Sequence, residues 1–148
     1  MRGRSMVVVA SFVMAAIAGA GVAAADGISA VRERLTAAAD ASFQQLARDF
    51  EIVEAATGQV GQTTFEPAVG TSYFVYGACD DNCTNIDLDL ADSNDSWFTE
   101  ADRRPDATPV VMIPSSDSPR VIMISLDMVA CATATCTMGI GIYSVEIE

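Results

Sequence analysis

The sequence predicts a mainly β protein: an antiparallel, jelly-roll-like β-sandwich carrying one N-terminal amphipathic α-helix. Three observations point there. Beyond Gly61, runs rich in Val, Ile, Tyr, Phe and Thr follow one another, divided by clusters of Gly, Pro, Asn and Asp, with no helical period between them. The run Ile86-Asp87-Leu88-Asp89-Leu90 alternates apolar and acidic residues, as a strand does when one face is buried and the other wet. All four cysteines fall in two tight pairs, Cys79 with Cys83 and Cys131 with Cys136, each where one run ends and the next begins. Short strands at close spacing with no intervening helix pack as a sandwich or barrel.

The elements are expected in the following order. Residues 1–25 read as a secretory signal peptide. Arg2 and Arg4 supply the positive end, Met6 to Ala18 is an apolar run, and Ala23-Ala24-Ala25 offers a small-residue cleavage site. The same uncharged stretch to Ala25, left uncleaved, is long enough to anchor in a bilayer. Residues 26–60 read as one amphipathic helix. Val31, Leu35, Ala39, Phe43, Leu46, Phe50 and Val53 recur at three- and four-residue steps, Ser29 is placed to cap the start and Gly58 to end it. Residues 61–148 form the sandwich, with strands expected at Gln62–Phe65, Ser72–Ala78, Asn85–Leu90, Pro109–Ile113, Arg120–Val129 and Met138–Glu146, and a further one at Trp97–Thr99. Pro67 with Gly70, Ser93-Asn94-Asp95, Arg104-Pro105-Asp106 and the segment from Pro114 to Pro119 supply the turns.

Composition removes whole classes of function. The net charge is −12, and loss of Arg2 and Arg4 with a leader makes the chain more acidic still. Such a surface repels nucleic acid and anionic lipid, so neither nucleic acid nor, after cleavage, a membrane is an expected partner. Cations or a basic partner suit it, and so does simple solvation. There is no His and no Lys. That excludes Ser-His-Asp and Cys-His catalysis, His-ligated metals and Schiff-base chemistry.

In an exported chain, four cysteines imply two disulfides. The local pairing Cys79–Cys83 and Cys131–Cys136 is favoured over a long-range one. Local rings contribute about 2 kcal/mol each, against about 4 for a long cross-link, so they shape loops more than they hold the fold. A four-thiolate zinc site is the alternative, at a spacing looser than a zinc ribbon's.

The acidic window from Asp80 to Asp106 is the candidate site. Alternation puts Asp87 and Asp89 on one face of a strand, followed by Asp92 and Asn94 in a turn, which together make a set of hard oxygen donors for calcium. The competing reading is an ordinary polar face with Arg103 and Arg104 as counter-ions. A carboxylate-based hydrolase is a third reading, and it needs a cleft. Trp97 and Phe98 read as a core plug, and Met112, Met123, Met128 and Met138 as core filling.

The stretch Tyr73-Phe-Val-Tyr-Gly-Ala-Cys79-Asp-Asp-Asn-Cys83-Thr-Asn-Ile-Asp87-Leu-Asp-Leu, with Glu100-Ala-Asp102, Ala107-Thr-Pro109-Val-Val and the run from Cys131 through Gly139-Ile-Gly-Ile-Tyr143, resembles small exported bacterial β-sandwich proteins similar to the pre-peptidase C-terminal domain. That resemblance implies a jelly-roll-like sandwich without catalysis of its own, sometimes binding calcium, with Asp87 as the shared acidic position. The glycine common near Asn94 is missing. The function expected is that of a periplasmic or extracellular non-catalytic accessory or binding module, its partner a protein or a polysaccharide. A calcium-stabilised adhesion or carbohydrate-contact domain is the alternative.

Overall fold

Strand alternation builds this molecule, and the C-terminal strands hold it together. The computed structural model describes residues 13–14, 25–39, 43–93 and 99–146. Its elements run β1 (Val13–Met14), α1 (Ala25–Ala38), β2 (Gln44–Leu46), β3 (Glu51–Ala55), β4 (Val60–Phe65), β5 (Ser72–Cys79), β6 (Cys83–Asp92), β7 (Thr99–Asp102), β8 (Val110–Ile113), β9 (Ile122–Cys131) and β10 (Cys136–Val145). The front sheet has the order β4-β9-β6-β7, with β1 outside β4. The back sheet has the order β3-β10-β5-β8, with β2 continuing the β3 edge along the far end of β10. All these pairings are antiparallel. The order over β3 to β10 is that of a jelly roll, two interleaved Greek keys in two sheets.

The core lies between the sheets. Even-numbered residues of β6, β9 and β10 point into it: Ile86, Leu88, Leu90, Ile122, Ile124, Leu126, Met128, Met138, Ile140 and Ile142 are each at most 1% exposed. Burying each such side chain contributes about 1.5–3 kcal/mol. Gly77 faces the same space, where a Cβ would come within 2.9 Å of Pro109 and 3.1 Å of Leu126.

A third layer covers the back sheet. Val31 and Leu35, one helical turn apart on α1, are fully buried over Ala78 of β5, with Phe50, Ile52 and Tyr76 at the margin. Close approach is possible because β10 presents glycine there. A Cβ on Gly139 would lie 2.8 Å from the Glu51 carbonyl oxygen and 3.0 Å from Val31. Tyr143 donates its hydroxyl proton to the Leu35 carbonyl at 3.1 Å, satisfying one of the four acceptors a helix C-terminus leaves open. Arg34 donates to the Cys79 carbonyl and to the Asp81 carboxylate, tying α1 to the loop between β5 and β6.

The helix is much shorter than its sequence pattern. It ends at Ala38, and Ser29 lies inside it rather than at its cap. The remainder of the 26–60 segment supplies β2 and β3, which pair with the free edge of β10. A step of four residues is also an even number, so Leu46-x-x-x-Phe50 satisfies both periods. The pairing demand of a central strand then overrides local helix preference. Gly58, at φ +88°, makes the β3–β4 turn. Two of the four strand methionines are core as expected, Met128 and Met138. Met112 and Met123 are 48% and 39% exposed, because their parity sends them outward. The seventh strand is Thr99–Asp102; Trp97 and Phe98 lie outside the described residues, as does nearly all of the expected leader. Among the described residues no helix is long and apolar enough to cross a membrane.

Candidate functional site

The outer face of the front sheet gathers the chemistry. On β6 the core claims Ile86, Leu88 and Leu90, so Asp87, Asp89 and Ala91 point outward. Register adds three more strands. Asp87 lies opposite Asp127 of β9, Asp89 opposite Ser125, and Ala91 opposite Met123. Beyond β9, Val60, Gln62 and Thr64 of β4 extend the three rows. On the other side Ala101 and Thr99 of β7 extend two of them. The middle row, Gln62-Ser125-Asp89, is a polar ladder: the Gln62 amide nitrogen sits 3.2 Å from the Ser125 hydroxyl. Arg103 leaves the end of β7 and folds back over Asp89, donating from Nε at 3.0 Å and from Nη2 at 2.5 Å to one carboxylate oxygen.

One arginine therefore serves three carboxylates. Burial, then the charge of Asp89, holds the Asp87 carboxyl above its usual range, with Arg103 acting against them. Asp127 is raised too, first by burial and then by Asp87 and Asp89. Oδ1 of Asp87 is buried and has no hydrogen-bond partner among the described residues. Such an acceptor costs about 1–3 kcal/mol until a donor reaches it. The face thus offers acceptors in excess, with the amide of Gln62 and the guanidinium of Arg103 as donors. Hydroxyls and cations are the chemistry it suits.

Asp102, one strand over, is built differently. Its carboxylate accepts from Arg104 at 2.9 and 2.7 Å and from the backbone N–H groups of Arg104 at 3.2 Å and Val110 at 3.0 Å. The Arg104 hydrogen bonds are the main reason its pKa falls to about 2. Every acceptor is used, so Asp102 is a clamp between β7 and β8. A groove of about 490 Å³ opens between those two strands, lined by Thr99, Glu100, Ala101, Val110, Val111, Met112 and Pro114; it does not enclose the three outward carboxylates.

Of the proposed ion ligands, Asp87 and Asp89 do share a face. Asp92 does not join them: it is the last residue of β6 rather than part of a turn, and even parity buries it on the inner side at 7% exposure. Asn94 lies outside the described residues. No group of three or more His, Cys, Asp or Glu among the described residues is arranged to hold one metal ion. Asp127, Ser125 and Gln62 were missed in the sequence. Their signal was the alternation Ile124-Ser125-Leu126-Asp127-Met128, which gives the face but not the register that sets it beside β6.

The opposite end is stapled. Disulfides join Cys79 to Cys83 and Cys131 to Cys136. Asp80, inside the first ring, accepts the N–H of Asn82 at 3.0 Å and of Thr137 at 2.7 Å, and Ala132 N–H donates to the Asn82 carbonyl at 2.8 Å. The two loops are thus bonded to each other.

No family model matches the sequence, and no curated protein sequence matches it. Among solved structures it is similar to a chain described as "CBM4 structure and function", at 15% identity and a TM-score of 0.39 over 68% of this chain and 77% of that one. It is also similar to a carbohydrate-binding module, CBM36, in complex with calcium and xylotriose, at 11% identity and a TM-score of 0.35 over 68% of this chain and 96% of that one. Similarity at this level does not bear on what this chain binds.

Proposed function

We propose that this chain is an exported, non-catalytic binding module that holds a polysaccharide on the outer face of its front sheet. The carrying observation is the polar ladder of Gln62, Ser125 and Asp89, flanked by Asp87, Asp127 and Arg103, on a face that no helix among the described residues covers, whereas α1 lies over β5 and β10 of the back sheet. Sugar hydroxyls donate to carboxylates and accept from Arg and amide groups, and charge assistance strengthens both. An open face suits a chain that runs past it better than a small molecule needing enclosure. Two disulfides fit an oxidising compartment and hence export. The resemblance to pre-peptidase C-terminal domains fits an accessory role.

A calcium-stabilised version rests on the same three carboxylates, whose repulsion a divalent ion would relieve. It needs oxygens beyond Asp87, Asp89 and Asp127, since calcium takes about six to eight. A hydrolase reading is weaker: the two raised carboxyls, Asp87 and Asp127, stand on an open sheet face and not across a cleft.

The test is isothermal titration against neutral, acidic and amino polysaccharides, with and without millimolar calcium. At least one polymer should bind, and Asp87→Asn with Asp89→Asn should weaken it tenfold or more, while Leu46→Ala on the back sheet should leave it unchanged. Equal affinity for the double variant and the parent would remove the face from consideration. A requirement for calcium would select the ion-dependent version.

A further inference from the structure

The four cysteine sulfurs are not equivalent. Cys79, Cys83 and Cys136 are 0%, 6% and 1% exposed, whereas Cys131 is only partly buried at the margin of the same core cluster. Cys131 ends β9 and Cys83 begins β6, and the two are register partners in the antiparallel pair, separated from the regular ladder by an irregularity at Asn85. Opposed residues in such a pair have Cα atoms about 4.5–5.5 Å apart and side chains on one face. That lies inside the span of about 4.4–6.8 Å that a disulfide bridges. Cys83 and Cys131 therefore each have two neighbours: one by bond and one by register.

We propose that Cys131 is the entry site for a dithiol reductant, such as the reactive centre of a thiol–disulfide oxidoreductase, and that it passes the exchange inward to the buried Cys79–Cys83 bond. A thiolate of the reductant attacks Cys131 Sγ, and Cys136 leaves as a thiolate that takes up a proton. The reductant's second thiol attacks this mixed disulfide, releasing the Cys131 thiolate and closing the reductant's own disulfide. The Cys131 thiolate then attacks Cys83 Sγ. The bond from Cys83 to Cys79 breaks as the bond from Cys83 to Cys131 forms, and Cys79 leaves and is protonated. The balance is two protein disulfides and one dithiol in, and one cross-strand disulfide, two thiols and one oxidised reductant out. Exchange of this kind needs access for the first attack and proximity for the second, and this arrangement supplies both.

The rearrangement has a structural readout. The ring it opens is the one that α1 grips, through Arg34 to the Cys79 carbonyl and the Asp81 carboxylate. Exchange should loosen the helix, while the bonds from Asp80 to Thr137 and from Ala132 to Asn82 keep the two loops in place for the step.

Cys136→Ser tests this directly, because it leaves Cys131 unbonded beside the intact ring. Alkylation followed by non-reducing peptide mapping should find Cys83 joined to Cys131 and Cys79 alkylated, with faster backbone hydrogen exchange in residues 25–38. Cys131→Ser, which frees Cys136 instead, should keep Cys79 joined to Cys83. If Cys136→Ser retains Cys79–Cys83 and alkylates only Cys131, the relay is wrong. Where either variant does not fold, the parent protein treated with a substoichiometric dithiol and quenched by alkylation gives the same reading: the Cys83–Cys131 peptide supports the relay, and loss of the Cys131–Cys136 bond alone overturns it.

Discussion

The two sheets share one core and present opposite outer faces. On the back sheet Ala78 and Gly139 are outward positions under α1, small enough for the helix to reach the strands and bury Val31 and Leu35, and Gly141 leaves room in the same way for Phe50. On the front sheet the corresponding positions are Asp87, Asp89, Ser125, Asp127 and Gln62. Inward, the front sheet carries Ile, Leu and Met and the back sheet Ile, Val and Met. What a sheet does with its second face is thus written in the size and charge of every other residue. Small side chains mark a face that the chain itself covers, and polar ones a face left for water or a ligand.

The comparison can be broken most sharply on β6, where the two environments alternate. Leu88→Ala should cost about 2–5 kcal/mol in urea unfolding, as truncation of a fully buried leucine does. Asp87→Ala, one residue away, should cost at most about 0.5 kcal/mol, because the carboxylate it removes is desolvated and repelled. Equal losses would mean the faces are misassigned. On the back sheet, Gly139→Ala should cost about 1–3 kcal/mol, since its Cβ meets a backbone oxygen that cannot step aside. Ser125→Ala at an outward position of the front sheet should stay within about 0.5 kcal/mol. A tolerant Gly139 would show that α1 sits more loosely than its contacts imply.

The smallest effect is in pH. Asp87 and Asp127 titrate above their usual range in the folded state, so folding takes up protons there and stability rises as pH falls through that range. Asp102 is the reverse. Its carboxyl is lowered from 3.8 to about 2, chiefly by Arg104, so its contribution is complete above the ordinary value and is lost as pH falls toward 2. With Arg104 largely exposed, solvent screening limits that contribution to about 1 kcal/mol. Melting temperature should therefore climb slightly on mild acidification and drop below about pH 4. The double variant Asp87→Asn and Asp127→Asn should reduce the climb, leaving the part due to Glu51, whose carboxyl burial also raises, and Asp102→Asn should blunt the drop. A curve with no initial rise in the parent would mean the outward carboxylates do not sense one another.

Much of this is legible in the sequence. Ile86 to Leu90 announced its inner and outer faces, and the paired cysteines announced local rings, because both are signals carried within a few residues. The β2 and β3 segments were hidden because their apolar spacing fits either period and only the free edge of β10 decides between them. Asp127 was hidden for a related reason. A strand's parity can be read from its own residues, whereas its register against a strand forty residues away is settled by packing. Asp92 was misplaced because β6 runs two residues past Leu90 where a turn was expected, and its even parity carries it to the inner side with Leu90.

The order of the sheets also fixes when the protein can form. Each sheet has a late strand at its centre, β9 in one and β10 in the other, and both follow every other described strand in sequence. Before Ile122–Val145 has emerged from the ribosome, β3 and β6 lack their main neighbours, and β5 has only β8 beside it. Long-range pairing of this kind also closes slowly, in milliseconds to seconds for all-β domains. The growing chain therefore carries its apolar strands largely without partners until Ile122–Val145 has been made, and folding waits for that segment. That is the condition in which a chain can still be threaded through a narrow channel.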